Sequence, residues 1–485
     1  MKDLDLVFSQ GYINGEWVEA SNGSVVNIVN PANGETITSV PDMGKQEAET
    51  AVIAAHEAFK SWRKTSAKQR ASLLKKWFDL MVENAESLAT LLTSEQGKPY
   101  KEAYGEVLYG ASFLEWFAEE AKRTYGDIIP AANGHNRYMT LKQPVGVVSA
   151  ITPWNFPVAM ITRKVGPALA AGCTVVIKPG EDTPLCALAM AALAEQAGIP
   201  KGVVNVVTTA RPAEVGEVLC QHPLVRKVSF TGSTPVGKLI LRQAADTVKK
   251  VSMELGGNAP FIVFEDADIE KAVQGAVLSK YRNAGQTCVC TNRLYVHDDI
   301  YDQFMARYCE VVTGLKIGDG LVDGTDIGPL INHKAVEKVS GLVEEAIEQG
   351  AKLALGGAVS DVGCQFYQPT ILTDVTEQMD IAHQELFGPV STVFRFNNEA
   401  DVIERANATP YGLAAYFYTR DNSRVWRVSE ELEYGIVGIN EGIISTEVAP
   451  FGGVKESGCG REGSKYGIDD YLEVKYLCTA IDERA

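Results

Sequence analysis

The chain has 485 residues, more than one hydrophobic core usually supports, so two or three domains with a cleft between them are expected. Hydrophobic residues make up 46% and charged residues 22%, near the averages for folded proteins, which excludes a disordered or fibrous chain. The formal net charge of -17 repels phosphate backbones and anionic lipid, so neither nucleic acid nor a membrane is expected as a partner.

Signals for cellular compartment favour the cytoplasm. The N-terminal segment MKDLDLVFSQ carries acidic residues where a signal peptide needs basic and then apolar ones, and no stretch reaches the roughly 20 apolar residues of a membrane span. The nine cysteines are too scattered for a disulfide framework, since only Cys288 and Cys290 lie close together. A cytoplasmic protein without a metal site is therefore expected.

The first 122 residues combine turn signals with helical periodicity. Asn14-Gly15 between apolar flanks predicts a β-hairpin within residues 11–41. From about residue 45 to 122, apolar residues recur at intervals of three or four, which predicts amphipathic helices. We expect these helices to cover a sheet.

Residues 145–254 alternate short β-rich runs with helical stretches, the rhythm of a parallel sheet with crossover helices. In such sheets, ligands bind at the carboxyl ends of the strands. The alternation resumes from residue 255, with a long helix near 333–349 that ends at Gly350, and predicts a second α/β domain. The chemistry is expected between the two domains.

Two further segments, residues 136–142 and 471–480, also read as strands, with no obvious place in either domain. An exposed strand edge is a liability in a soluble protein. We therefore expect these strands to pair across subunits.

Three segments carry residues that suit catalysis. In Asn283-Ala-Gly-Gln-Thr-Cys288, a cysteine follows a glycine-containing turn, where a helix or strand start would expose the sulfur and lower its pKa; an inert packing cysteine is the alternative. Glu254 ends a predicted strand before Gly-Gly, or is a solvated turn residue. The segment 152–157, TPWNFP, follows the first strand of the series, and a rigid aromatic loop is its alternative.

Two more segments, Lys178-Pro-Gly-Glu181 and Phe230-Thr-Gly-Ser233, also follow predicted strands. The second has only one of the glycines of a dinucleotide fingerprint, and no GxGxxG occurs. Alone, these segments are a weak nucleotide signal.

Taken together and in this order, the segments resemble the aldehyde dehydrogenase superfamily over nearly the whole chain. The resemblance implies a doubly wound Rossmann-like cofactor domain, an α/β catalytic domain and a small β oligomerisation element. We assign these to residues 1–121 with 145–253, to 254–450, and to 122–144 with 451–485. It also implies a homodimer or homotetramer.

By this resemblance, Cys288 is the nucleophile, Glu254 the general base and Asn155 the side-chain donor to the oxyanion. Each role makes chemical sense, because a thiolate adds to the aldehyde, the alkoxide needs donors, and a thioester needs a base for hydrolysis. The residues implied in cofactor binding are Thr152, Pro153, Trp154, Lys178, Glu181, Gly216, Ser233, Glu385 and Phe387. In the loop before Gly216, many relatives carry more glycines, so phosphate contacts there are doubtful.

A carboxylate at Glu181 accepts hydrogen bonds from both ribose hydroxyls and repels a 2′-phosphate, so NAD is favoured over NADP. The neighbouring Lys178 leaves NADP open. Loss of the nicotinamide site would leave a non-redox thioesterase, and loss of the nucleophile a silent binding protein; both are kept as alternatives.

Within the superfamily the chain is most similar to succinate-semialdehyde dehydrogenases, in Arg282-Asn-Ala-Gly-Gln-Thr-Cys288-Val-Cys290, Ile161-Thr-Arg163-Lys and Glu441-Gly-Ile-Ile-Ser445. Arg163, Arg282 and Ser445 would bind the distal carboxylate of a small semialdehyde, unless both arginines make structural ion pairs. Glutarate semialdehyde is the alternative substrate, because one methylene changes selectivity only about 10- to 200-fold. Cys290 is a candidate redox switch that would trap oxidised Cys288 as a disulfide.

Overall fold

The structure, a computed structural model, describes residues 6–481. The first half of the segment used in the signal-peptide argument lies outside these residues, as do the outer ends of the first and third predicted domains. Within residues 6–481, no helix is long and apolar enough to cross a membrane.

The chain begins with four short strands and four helices. They are β1 (Gly11–Ile13), β2 (Glu16–Val18), β3 (Val25–Val29), β4 (Thr36–Pro41), α1 (Lys45–Trp62), α2 (Ala67–Glu83), α3 (Ala85–Gln96) and α4 (Tyr100–Glu120). Strands β1 and β2 pair through a turn in which Asn14 and Gly15 have φ of 55° and 73°, as a primed hairpin turn requires. The predicted hairpin and helical region are confirmed.

The next segment alternates strands and helices as predicted. Its elements are β5 (Ile128–Ile129), β6 (Asn136–Pro144), β7 (Val147–Ile151), α5 (Ala159–Ala171), β8 (Thr174–Lys178), α6 (Leu185–Gln196), β9 (Val204–Val206), α7 (Pro212–Gln221), β10 (Val225–Thr231), α8 (Thr234–Ala245) and β11 (Lys250–Glu254).

The remaining chain forms a second alternating series. Its elements are β12 (Ala259–Val263), α9 (Ile269–Tyr281), β13 (Thr291–His297), α10 (Tyr301–Thr313), α11 (His333–Glu348), β14 (Lys352–Leu355), β15 (Thr370–Thr373), β16 (Val390–Phe396), α12 (Glu399–Asn407), β17 (Ala414–Tyr418), α13 (Asn422–Glu431), β18 (Ile436–Ile439), β19 (Gly458–Cys459) and β20 (Leu472–Ala480).

The first sheet has eight strands in the order β19-β11-β10-β7-β8-β9-β1-β2. Its five central strands, β11, β10, β7, β8 and β9, run parallel. Successive residues of a strand face opposite sides. On β8, Val175 and Ile177 pack into a core with α2 to α6, whereas Val176 packs into a core with α1, α7 and α8. Helices thus cover both faces, and the doubly wound sheet is confirmed.

The second sheet has seven strands in the order β14-β15-β16-β13-β12-β17-β18, all parallel except β14. Its strands are nearly continuous apolar runs, as expected for a parallel sheet covered on both faces. One apolar core joins it to α9, α10, α11 and α12. This is the predicted second α/β unit.

Strands β20, β6 and β5 form a small third sheet, and β3 pairs with β4. Strands β6 and β20, which contain residues 136–142 and 472–480, pair antiparallel with each other from Asn136 with Ala480 to Pro144 with Leu472, and pairing across subunits stays a prediction. Strand β6 lies between β20 and β5, and the outer edge of β20 is unpaired among the described strands.

The two large sheets place chemistry-bearing residues together. Thr152 directly follows β7, Lys178 ends β8, Thr231 ends β10 and Glu254 ends β11, all at the carboxyl edge of the first sheet. Cys288 precedes β13 of the second sheet. This edge is where an open parallel sheet binds ligands.

Candidate active site

Cys288 lies in a turn between a short 3-10 helix, Arg282–Gly285, and strand β13. Asn283 and Ala284 form a kink in that segment, with non-helical, positive φ values of 52° and 53°, which non-glycine residues adopt rarely and at a cost of about 1–3 kcal/mol each. Surrounding contacts must therefore hold this loop, and the Asn283 amide does donate to a carboxylate oxygen of Glu102 at 2.8 Å.

Two cavities meet at Cys288. One has a volume of about 300 Å³ and the other of about 270 Å³, and Cys288 is the residue that lines both. A ligand in either cavity would therefore reach the same sulfur from a different side.

The first cavity contains three residues predicted to bind substrate. Arg163, Arg282 and Ser445 all line it, together with apolar side chains that include Phe156 and Phe451. The structure therefore brings the three together around Cys288, although they come from three distant parts of the sequence.

The two arginines of this cavity differ in their partners. Arg163, buried on α5, is ion-paired with Glu462 at 2.8 Å, and its guanidinium lies 3.9 Å from the ring centroid of Phe451. Arg282 has no ion pair or hydrogen bond with any described residue, and its guanidinium lies 5.5 Å from the ring centroid of Phe156. The structural ion-pair alternative therefore applies to Arg163 and not to Arg282.

The second cavity is lined by five of the residues implied in cofactor binding, Pro153, Trp154, Ser233, Glu385 and Phe387. The rings of Trp154 and Phe387 pack edge to face with centroids 5.7 Å apart. Ser233 is the N-cap of α8, yet its hydroxyl makes no capping hydrogen bond. A helix N-terminus that faces a cavity attracts anions such as phosphate.

Glu385 is the acidic group of this cavity. Its carboxylate accepts a hydrogen bond from the Gly257 amide at 2.9 Å, and its main-chain oxygen accepts one from Lys338 at 2.6 Å. Burial raises the pKa of Glu385 to about 7, against the lowering effects of Gly257 and Lys338. This carboxyl group is therefore partly protonated near neutral pH.

The other four residues implied in cofactor binding lie outside both cavities. Lys178 and Glu181 form an ion pair at 2.5 Å beyond β8. Thr152 is buried, and its hydroxyl has no partner among the described residues. Gly216 lies inside α7, and no atom comes within 4 Å of the position where its Cβ would be. The cofactor roles of these four stay predictions, as do those of the five residues that line the second cavity.

Asn155 lies in the second cavity with its amide oriented by the Cys288 loop. Its Nδ2 donates to the main-chain oxygen of Gln286 at 3.0 Å, and its Oδ1 has no partner among the described residues. An amide nitrogen carries two hydrogens, so one remains for a ligand.

Glu254 is buried at the end of β11 and lines neither cavity. Neither carboxylate oxygen has a hydrogen-bond partner among the described residues. Burial raises the pKa of Glu254 well above its usual range, Glu462 adds to that shift, and Arg163 opposes it. A carboxylate whose pKa is raised is a stronger base toward water than an ordinary carboxylate.

The sulfur of Cys288 is protonated at neutral pH. Burial raises the pKa of its thiol to about 12; Glu385 and Glu254 raise it further, and Arg163 lowers it. The expected lowering of this pKa is therefore wrong, because the turn sets the sulfur among protein atoms and near two carboxylates rather than at a helix start.

Cys290 lies apart from both cavities. Its buried Sγ donates to the main-chain oxygens of Lys280 at 3.4 Å and Thr291 at 3.6 Å. All nine cysteines are free. The redox switch stays a prediction.

Sequence reasoning missed several neighbours of the site. Glu462 pairs with Arg163 and Lys164, Tyr109 and Glu102 line the first cavity, and Lys98 contacts the Asn155 loop. No local pattern singles them out, since they come from helix and loop segments far from the motifs. Among residues 6–481, no group of three or more His, Cys, Asp or Glu side chains is arranged to hold a metal ion.

Comparison with known proteins extends these findings. The model of the aldehyde dehydrogenase family matches residues 17–477. The succinate-semialdehyde dehydrogenase [NADP(+)] of Escherichia coli strain K12 is 58% identical over 481 residues, 99% of this chain and 100% of that protein. A 3-sulfolactaldehyde dehydrogenase of Pseudomonas putida is 58% identical over 478 residues, 99% of this chain and 98% of that protein.

A glutarate-semialdehyde dehydrogenase of Pseudomonas putida strain KT2440 is 57% identical over 481 residues, 99% of this chain and 100% of that protein. The crystal structure of an E. coli NADP-dependent enzyme superimposes with a TM-score of 0.98 at 58% identity, covering 99% of this chain and 100% of that one. The predicted fold is thereby confirmed, and three substrates are represented at nearly equal identity.

Proposed function

The chain belongs to the aldehyde dehydrogenase family, and from that premise we propose that it oxidises succinate semialdehyde to succinate with NAD(P). The observation that carries this proposal is the position of Cys288 where two cavities meet. One cavity offers a guanidinium group without a partner to a distal anion, and the other offers aromatic rings and a helix N-terminus to a dinucleotide.

The substrate class follows from the first cavity. An unpaired guanidinium with a nearby hydroxyl, as at Arg282 and Ser445, suits a carboxylate. Relatives named for succinate semialdehyde, glutarate semialdehyde and 3-sulfolactaldehyde have in common an aldehyde with a distal anion. We place succinate semialdehyde first because the segments around Arg163, Cys288 and Ser445 resemble those of enzymes for it.

The residues of the second cavity fit a dinucleotide. Two hydroxyls there, on Ser233 and Thr231, lack capping or hydrogen-bond partners and are available to a ligand. Ser233 would hold the pyrophosphate at the N-terminus of α8, and Glu385 with Phe387 would hold the nicotinamide ribose. Bound nicotinamide supplies the acceptor for the hydride that leaves the substrate carbon.

Carbon–sulfur bond formation is the first covalent step at Cys288. The thiol proton passes to a water molecule, sulfur bonds to the aldehyde carbon, and the π electron pair of the carbonyl group moves to its oxygen, which becomes an oxyanion. The free Nδ2–H of Asn155 and the main-chain amide of Cys288 donate to that oxygen, and such a donor contributes roughly 3 kcal/mol. Collapse of the adduct with loss of hydride leaves a thioester.

Glu254 acts in hydrolysis of the thioester. Its carboxylate takes a proton from water as the water oxygen bonds to the thioester carbon. The carbon–sulfur bond then breaks, and the proton held on Glu254 passes to the Cys288 sulfur, which releases the acid and restores the thiol. Because its oxygens have no partner among residues 6–481, the side chain breaks no hydrogen bond to turn toward Cys288. A Cβ on Gly452 would lie 3.0 Å from Glu254 Oε1, so glycine there leaves room for this carboxylate.

Cofactor choice rests on Lys178 and Glu181. A free carboxylate at Glu181 would favour NAD, but its ion pair with Lys178 reduces the repulsion of a 2′-phosphate. A relative 58% identical is named for NADP(+). We therefore expect both cofactors to be reduced.

Assembly and compartment complete the proposal. The small sheet leaves Val474 and Tyr476 of β20 exposed at 66% and 57%, and we assign it to contacts between copies of this chain in a homodimer or homotetramer. Nine free cysteines favour the reducing cytoplasm.

The test is absorbance at the nicotinamide band with purified protein and NAD or NADP in parallel. Succinate semialdehyde, glutarate semialdehyde and butanal are compared, with Cys288→Ala as the control. We expect Cys288-dependent reduction with the highest kcat/KM for succinate semialdehyde. A higher kcat/KM for glutarate semialdehyde would reassign the substrate, and no reduction with either cofactor would leave the non-redox alternatives.

A further inference from the structure

A buried lysine lies directly behind the candidate oxyanion donor. Lys98, in the loop between α3 and α4, has a side chain with 0% exposure. Its Nζ donates to the main-chain oxygen of Asn155 at 2.7 Å and to a carboxylate oxygen of Glu106 at 2.5 Å. A lysine is almost never fully buried unless it is paired, and Glu106 supplies that pairing for Lys98.

Glu106, the carboxylate partner of Lys98, binds the other end of the same loop. Glu106, on α4, is 2% exposed, and its second oxygen accepts the amides of Val158 at 3.0 Å and Ala159 at 3.3 Å. These amides open α5 and follow the loop that starts at Asn155. Lys98 and Glu106 therefore hold both ends of a four-residue segment.

The network continues into the nucleophile loop. Asn283 donates to the same main-chain oxygen of Asn155 at 3.0 Å, and its Oδ1 accepts from Gln96 at 3.0 Å. Gln96 also accepts the amide of Lys98 at 3.0 Å. The loops that carry Asn155 and Cys288 thus share one anchor, which is formed by the end of α3 and the start of α4.

Lys98 also reaches the substrate side of the site. Its Nζ lies 3.9 Å from the ring centroid of Phe156, and the guanidinium of Arg282 lies 5.5 Å from that ring. Phe156 lines the first cavity. The ammonium group of Lys98 therefore contacts Phe156, which directly follows the oxyanion donor Asn155 and lines the same cavity as Arg282.

We propose that Lys98 is a positioning residue for aldehyde oxidation: its ammonium group holds the main-chain oxygen of Asn155 and so fixes the Asn155 amide against the oxyanion formed at Cys288. Lys98 itself touches neither substrate nor cofactor. The inference rests on the role proposed above for Asn155. A misplacement of about 1 Å in such a group costs on the order of 100-fold in rate, so loss of the anchor should lower kcat without an equal change in KM.

The test is a double-mutant cycle between Lys98→Met and Asn155→Ala, with kcat and KM measured per folded subunit. Removal of one oxyanion donor costs about 100- to 1000-fold in kcat. We expect Lys98→Met to lower kcat about 10- to 100-fold, with KM for aldehyde and cofactor within about threefold. The variant that carries both changes should have a kcat no lower than that of Asn155→Ala alone. Lys98 acts only through the Asn155 amide, which Asn155→Ala already removes.

Removal of Lys98 leaves Glu106 buried without its cation, which by itself can unfold the chain. Lys98→Met with Glu106→Gln avoids this, because Gln still accepts the α5 amides. We expect this pair to restore the thermal midpoint while kcat stays low. The proposal would be overturned if kcat recovered together with the thermal midpoint. It would also be overturned if the losses in kcat from Lys98→Met and Asn155→Ala multiplied when the two changes were combined.

Glu95→Gln is the matched control. Glu95 is also fully buried, and its carboxylate accepts the first amides of α6, from Leu185 at 2.8 Å and Cys186 at 2.9 Å; these hydrogen bonds join α3 to α6 and not to the loops that carry Asn155 and Cys288. Its effect on kcat should be under twofold. If Asn155→Ala leaves kcat unchanged, the role proposed for Asn155 is wrong. If Asn155→Ala lowers kcat but Lys98→Met does not, only the inference about Lys98 is overturned.

Discussion

At the scale of single residues, the two arginines of the first cavity predict different phenotypes. Arg282 is the guanidinium without a partner, so it is expected to bind the substrate carboxylate. Arg282→Gln should raise KM for succinate semialdehyde about 10- to 100-fold, since a hydrogen bond to a charged group contributes about 1.5–3 kcal/mol. With butanal, which lacks the carboxylate, kcat/KM should change less than threefold. Equal losses on both aldehydes would mean that Arg282 is structural.

The high pKa of Cys288 predicts how the free enzyme reacts with an alkylating agent. Only the thiolate reacts, and with a pKa of about 12 its fraction rises tenfold per pH unit throughout the neutral range. Inactivation by iodoacetamide without cofactor should therefore accelerate about tenfold per unit from pH 7 to 9. Mass spectrometry of the Cys288 peptide separates this reaction from labelling of the exposed Cys364, Cys459 and Cys478. A plateau below pH 9 would contradict the account.

The sequence located these reactive residues because each motif follows a strand, and parallel strands bring their carboxyl ends to one edge. It could not assign partners to them. Arg163 pairs with Glu462 only because α5 meets a loop near the C-terminus, and nothing in the local pattern around Arg163 indicates this. The same holds for the pKa of Cys288, which burial raises first and which Glu385, in the loop before β16, and Glu254, at the end of β11, raise further.

At the scale of elements, the junction between α3 and α4 is more constrained than its sequence indicates. Gly97 ends α3 with φ of 94°, and a Cβ there would lie 2.6 Å from Pro329 Cγ. Gly97→Ala should cost about 1–3 kcal/mol from the backbone alone, and so lower the thermal midpoint. Because Lys98 follows directly, kcat should fall as well.

The matched control is another glycine-to-alanine change within a helix. Gly341 lies exposed inside α11, with no atom within 4 Å of its Cβ position. Gly341→Ala should stabilise the helix by about 0.5–1 kcal/mol and raise the midpoint. Shifts of the same sign in both variants would contradict the argument from backbone conformation.

Element types were predictable where periodicity was strong, as in α1 to α4 and in the two parallel sheets. Pairing between distant segments was not, because a strand such as β20 carries no mark of its partner. The internal pairing of β20 with β6 joins segments separated by most of the chain. The predicted domain boundaries stay a prediction, and β19 adds a strand from the C-terminal region to the edge of the first sheet.

At the scale of the whole molecule, the exposed face of β20 predicts self-association. Light scattering coupled to gel filtration should give the mass of a dimer or tetramer. Val474→Asp with Tyr476→Asp should lower that mass, because buried carboxylates are costly in an apolar contact. Val362→Asp, at a residue 54% exposed outside the small sheet, should leave it unchanged. A monomer at all concentrations would contradict the assignment of this sheet.

The central claim is that aldehyde oxidation passes through a thioester on Cys288 that Glu254 helps to hydrolyse. It is tested most directly by a single-turnover experiment with Glu254→Gln, succinate semialdehyde and NAD or NADP. We predict a burst of about one reduced nicotinamide per subunit, slow turnover afterwards, and a succinyl group on the Cys288 peptide. Full turnover without an acyl adduct, or an adduct on another residue, would contradict the account.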